Sequence, residues 1–173
     1  MCNLYGITTN QAAIIALFRV INRYGGNLPP MTGVFPDFSA PVICNTGTGR
    51  ELAMMRWGMP SPRTGGAPAT NIRNTSSPYW RMWLKPESGC LVPANSFSEY
   101  APETNPETKK NDVVWFALDD DRPCFAFAGI WTTLHQVEAD SGAASGLRIP
   151  NDLAERGGRT NPFKGNAGDP DHG

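Results

Sequence analysis

Cys90-Leu91-Val92-Pro93-Ala94-Asn95-Ser96-Phe97-Ser98-Glu99-Tyr100 reads as an apolar strand that ends in a turn and then presents a lone carboxylate between Ser98 and Tyr100. Val42–Cys44, Glu51–Trp57, Gly89–Val92, Val113–Leu118 and Cys124–Trp131 are short and β-rich, and clusters of Pro, Gly, Asn or Asp separate them. Within the last of these, Phe125-Ala126-Phe127-Ala128-Gly129-Ile130-Trp131 has the composition of a buried core strand. Helical signals are few. Thr8, Thr9 and Asn10 offer caps, Ala12 to Ile21 supply an apolar face, and Gly25-Gly26 ends the first helix. A second short helix is predicted from Ser77-Pro78 through Leu84, with Pro78 in its first turn. Ser61–Ala69 and Ala101–Asn111 read as loops. The pattern predicts an α+β fold, a single domain with a mainly antiparallel, barrel-like β-sheet and a few short helices.

At 173 residues, 40% hydrophobic and 18% charged, the chain is long enough for one globular domain with a real core. It has neither a membrane-length apolar run nor a basic region followed by an apolar one at its start, so a cytoplasmic protein is expected. Cys2, Cys44, Cys90 and Cys124 lie far apart, and only His135 and His172 could assist them. That spacing argues against a zinc site and a disulfide scaffold, and no metal or cofactor is expected. The net charge of −1 hides an asymmetry. Residues 1–85 sum to +6, mostly through arginine, and residues 86–173 sum to −7. Arginine suits bidentate phosphate contacts, so the basic half permits a polyanion partner; it equally fits a solvated charged face.

Met1-Cys2 narrows the chemistry. Removal of Met1 exposes a cysteine bearing a primary amine and a thiol two carbons apart. The amine can condense with an aldehyde to an imine, and the thiol can then close a thiazolidine ring. The same thiol can attack an acyl carbon with the amine as its base. A cysteine followed by Asn3-Leu4-Tyr5-Gly6 is also what opens a buried strand. In Thr70-Asn71-Ile72-Arg73-Asn74-Thr75, Asn71 can hydrogen-bond a carbonyl, sugar or phosphate oxygen. Arg73 is expected on the same side of an extended strand, and Arg81 on the next helix. Glu99 is placed for proton transfer.

Met1-Cys2, Arg56-Trp57-Gly58, Asn71-x-Arg73, Cys90 to Ala94 with Phe97-x-Glu99-Tyr100, and Phe127-Ala128-Gly129-Ile130-Trp131, in this order, resemble the SRAP family of SOS-response-associated peptidases, or abasic-site-processing domains. The resemblance covers residues 1 to about 133 and implies DNA-damage work in the cytoplasm, associated with the nucleoid. By it, Cys2 captures the ring-opened aldehyde of an abasic site in single-stranded DNA as a thiazolidine crosslink. Asn71 holds the opened sugar, Arg73 and Arg81 grip phosphates, and Glu99 shuttles protons. Trp57 packs beside the DNA path or supports it. The peptidase activity is removal of what precedes the cysteine, here Met1 alone, and the protein is expected to act as a monomer. Two other classes fit less of the pattern: an N-terminal-nucleophile peptidase or amidohydrolase, and a non-catalytic single-strand binder.

Two features depart from the family. Its motif commonly runs Asn-x-Arg-x-Glu-Thr, whereas Asn74-Thr75 follows Arg73 here. The family's downstream Pro-Ile-His-x-x-x-Met-Pro segment is also missing. Residues 134–173 hold one aromatic, Phe163, and seven glycines, a composition that cannot bury enough surface to order itself. The sequence therefore divides into an incomplete domain, 1–133, and a disordered or poorly packed tail, 134–173. Read one base forward, the codons permitted from Leu147 to Asp152 can encode Y-G-F-L-T-T. Those from Thr160 to Gly173 can encode P-I-H-S-K-A-M-P-V-I-L-T-T, the missing segment. A frameshift between Thr133 and Leu147 accounts for both.

Overall fold

The computed structural model describes residues 3–21, 26–62, 66–134 and 144–150. Its strands are β1 (Tyr5–Ile7), β2 (Met31–Val34), β3 (Ser39–Thr46), β4 (Gly49–Trp57), β5 (Asn71–Ile72), β6 (Gly89–Ala94), β7 (Ser96–Thr104), β8 (Asn111–Phe116), β9 (Phe125–Leu134) and β10 (Ala144–Pro150). The single α-helix among the described residues is α1 (Gln11–Phe18), and a 3₁₀ turn spans Pro86–Ser88. The fold is α+β and mostly antiparallel, as expected. Its strands divide between two sheets, ordered β2-β1-β7-β8 and β4-β3-β6-β9-β10-β5, rather than closing into one barrel. A two-residue parallel contact of β10 with β4 curls the larger sheet back on itself. No helix among the described residues is long and apolar enough to cross a membrane.

Asn95 joins the sheets. It lies between β6, in the larger sheet, and β7, in the smaller, and its backbone N–H donates to Gly6 O at 2.8 Å. Its buried side-chain oxygen accepts from Thr8 N at 2.8 Å and Thr9 N at 3.1 Å. Its amide nitrogen donates to Arg122 O at 2.7 Å. One amide thus satisfies backbone groups of two separate loops, which otherwise carry the cost of unmet hydrogen bonds. Tyr5, Val42, Trp57, Val92 and Phe127 fill the core from both sheets.

The helix begins where the sequence places it. The Asn10 side chain accepts from Ala13 N at 2.9 Å. It stops at Arg19, which takes the left-handed conformation at φ 52°, well short of Gly25-Gly26. The predicted second helix is instead a run of tight turns, with Trp80 N donating to Ser77 O and Trp83 N to Trp80 O. Tyr79, Trp80 and Trp83 pack ring against ring there, and Pro86 blocks helical continuation just beyond. The predicted Ala101–Asn111 loop is shorter than expected, because β7 runs on to Thr104 and β8 begins at Asn111. β10 falls in the stretch set apart as a tail; its backbone pairs with β9 from Leu134 to Ile130. The rest of that tail lies outside the described residues, as do both histidines.

Candidate active site

The chain leading back from β1 runs antiparallel to β7. Tyr5 pairs with Phe97, and Ser98 N–H donates to Leu4 O at 2.9 Å. That register brings Asn3 alongside Glu99, and the two line one cavity of about 380 Å³ with Leu4, Phe35, Ser98 and Tyr100. Glu99 is half-buried at its wall. Asn3 also faces the other way, because Asn71 Nδ2 donates to its Oδ1 at 3.4 Å. One residue therefore bridges the Asn71 strand and the Glu99 cavity, and it is the neighbour of Cys2. Cys2 itself lies outside the described residues.

Asn71 is 9% exposed, and its amide also donates to Thr70 Oγ1 at 3.3 Å. Ile72, fully buried against Met59, Trp80 and Ile130, anchors β5 from below. Arg73 is exposed in a bend, so it does not share a strand face with Asn71 as expected; β5 is only two residues long. Arg81 is exposed in the turn segment, which Tyr79 OH pins to Ser61 O at 3.0 Å. Trp57 is 0% exposed and offers DNA no surface, a correction to direct contact. Its Nε1 donates to Thr70 O at 3.1 Å, and its ring lies 5.4 Å from that of Tyr5. Trp57 thus holds up the residue next to Asn71. Beside it, Gly58 has φ +143°, and a Cβ there would come within 2.9 Å of Pro68 Cβ.

Asn3, Phe35 and Ser98 line the cavity without a sequence motif to mark them as site residues. Asn3 gives no signal except its place next to Cys2, because its partner Asn71 lies 68 positions away. The other thiols are unsuited to meeting a large substrate. Cys44 and Cys90 are buried in the core, and burial pushes the Cys124 thiol up. No group of three or more His, Cys, Asp or Glu among the described residues could hold a metal ion. Arg56 forms an exposed ion pair with Asp37 at 3.4 Å, a contact of small energetic weight.

The model of the SOS response associated peptidase (SRAP) family matches residues 1–148. The chain belongs to the SRAP family. It is therefore placed in a family tied to the response to DNA damage, which implies interaction with DNA, and named for a peptidase-like activity. Two solved structures from Bordetella bronchiseptica share the fold. One protein is 20% identical with a TM-score of 0.62, the match covering 86% of this chain and 71% of that one. The other, described as a phage-related protein, is 16% identical with a TM-score of 0.62, covering 88% and 70%. No curated protein matches the sequence.

Proposed function

We propose that this SRAP chain captures abasic sites in single-stranded DNA through Cys2, exposed by removal of Met1. The Cys2 amine adds to the ring-opened aldehyde and water leaves, giving an imine. The thiol sulfur then adds to the imine carbon while its proton passes to nitrogen, closing a thiazolidine. Glu99 protonates the departing hydroxyl and relays the thiol proton. Asn71 holds the opened sugar, and Arg73 and Arg81 hold phosphates on either side. The observation that carries this reading is the place of Asn3, the neighbour of Cys2, which accepts from Asn71 and lines the Glu99 cavity. The N-terminal amine and thiol then enter a site that already holds an amide and a carboxylate, the placement an aldehyde condensation needs.

On the premise of a frameshift between Thr133 and Leu147, the family histidine is absent, and capture is expected to be slowed rather than abolished. Sequencing the gene checks that premise: the codons of Leu147 to Asp152 must give Y-G-F-L-T-T one base forward, and any other string ends it. Function is tested by time courses of adduct formation with a single-stranded oligonucleotide carrying one abasic site. Cys2→Ala should give no adduct. Glu99→Gln should slow it by about 10²-fold or more, the usual scale of general acid–base help. Unchanged rates in Glu99→Gln would remove the carboxylate from the mechanism, and noncovalent binding with no adduct in the parent chain would leave a single-strand binder.

A further inference from the structure

Two of the four cysteines face each other. On antiparallel β3 and β6, Cys44 is the register partner of Cys90, and the adjacent pair is Ile43 with Leu91. Directly opposed residues of antiparallel strands have Cα atoms about 4.5 or 5.5 Å apart, and their side chains leave the sheet on the same face. Both spacings fall inside the span of about 4.4–6.8 Å that a disulfide bridges. Both thiols are free, and both are buried, at 4% and 7% exposed. Each thiol also lies close enough to shift the other's proton affinity. Across the sheet the row continues with Glu51 on β4 beside Cys44, and with Gly129 on β9 beside Cys90, which brings no side chain against the pair.

We propose that Cys44 and Cys90 form a dithiol site that a small peroxide oxidises to a reversible cross-strand disulfide between β3 and β6. Cys44 is the attacking sulfur. The hydrogen bond from Cys90 holds the Cys44 thiol below its ordinary value, against the opposing effects of burial and of Glu51, and the same bond together with burial pushes Cys90 up. Cys44 sulfur attacks one peroxide oxygen, the O–O bond breaks, and a first water leaves with a sulfenic acid left on Cys44. Cys90 sulfur then attacks the sulfenic sulfur, the S–O bond breaks, and a second water carries away the hydroxyl and the Cys90 proton. Two thiols lose two electrons and one peroxide gains them. Burial limits the oxidant to a molecule the size of hydrogen peroxide. The bond ties β6, which leads into the strand of Glu99, to β3, which flanks the strand of Trp57.

The test uses the full reduced chain and hydrogen peroxide, followed by unfolding in excess alkylating reagent and peptide mapping. The expected result is a linked peptide pair joining Cys44 to Cys90, a loss of two alkylation sites, and recovery of both with a dithiol reductant. Oxidation should also raise Tm by several degrees, because the bond closes a long loop. Alkylation of both residues after peroxide treatment, sulfinic acid on either one alone, or a bond from either to Cys2 or Cys124 would overturn the proposal. Because mapping is done on the unaltered chain, the result does not depend on any variant folding.

Discussion

Asn95 shows how much one side chain can hold at the residue scale. It satisfies backbone groups of the Thr8-Thr9 and Arg122 loops from a buried position between the two sheets. Asn95→Ala leaves those groups unmet and should cost about 1–3 kcal/mol of stability, read as a lower midpoint in urea at unchanged slope. A loss smaller than ~0.5 kcal/mol would mean that water replaces the amide. Asn71 and Glu99 were legible in the sequence as polar residues beside apolar strand segments. Asn3 and Asn95 were not, since their roles depend on partners that fold brings from far along the chain. Trp57 was legible as a residue of consequence, yet its burial beneath Thr70 could not be read from composition.

Elements were legible where local chemistry decides them. Asn10 caps α1 as its residue type suggests, and β-rich runs between Pro, Gly, Asn or Asp clusters mark β3, β4, β6 and β9 to within a few positions. Boundaries set by tertiary contacts were not legible. Arg19 closes α1 without a glycine, and the Tyr79–Trp83 aromatics pack into turns because their rings find each other and the Met59–Ile72–Ile130 cluster. β7 is hidden in a polar, proline-containing stretch because its outer half gains pairing from β8 rather than burial. β8 in turn is an edge strand, exposed along its length, with Val113-Val114-Trp115-Phe116 free of charge and proline. Such an edge invites pairing with other chains. Trp115, 43% exposed, is the position to change. Trp115→Lys should lower self-association in light scattering while moving stability by less than about 0.5 kcal/mol. Unchanged scattering would place the sticky surface elsewhere.

Across the whole molecule, the two sheets share one core, and the pairing of β1 with β7 inside the smaller sheet brings Asn3 to the cavity. The α+β architecture and the family were legible because several short motifs keep their order along the first 133 residues or so, and the family match extends to residue 148. The division into two sheets was not, because strand composition does not say which edges meet. The basic character of residues 1–85 falls on the part of the chain that carries Arg73 and Arg81, both exposed.

The most direct measurement is the intact mass of the purified chain after incubation, without added reductant, with a single-stranded oligonucleotide bearing one abasic site. The account predicts a covalent species that survives denaturation, with the mass of the chain lacking Met1 plus the oligonucleotide less one water, and none from Cys2→Ala. No adduct from a folded chain shown to lack Met1, or an adduct that persists in Cys2→Ala, would contradict it.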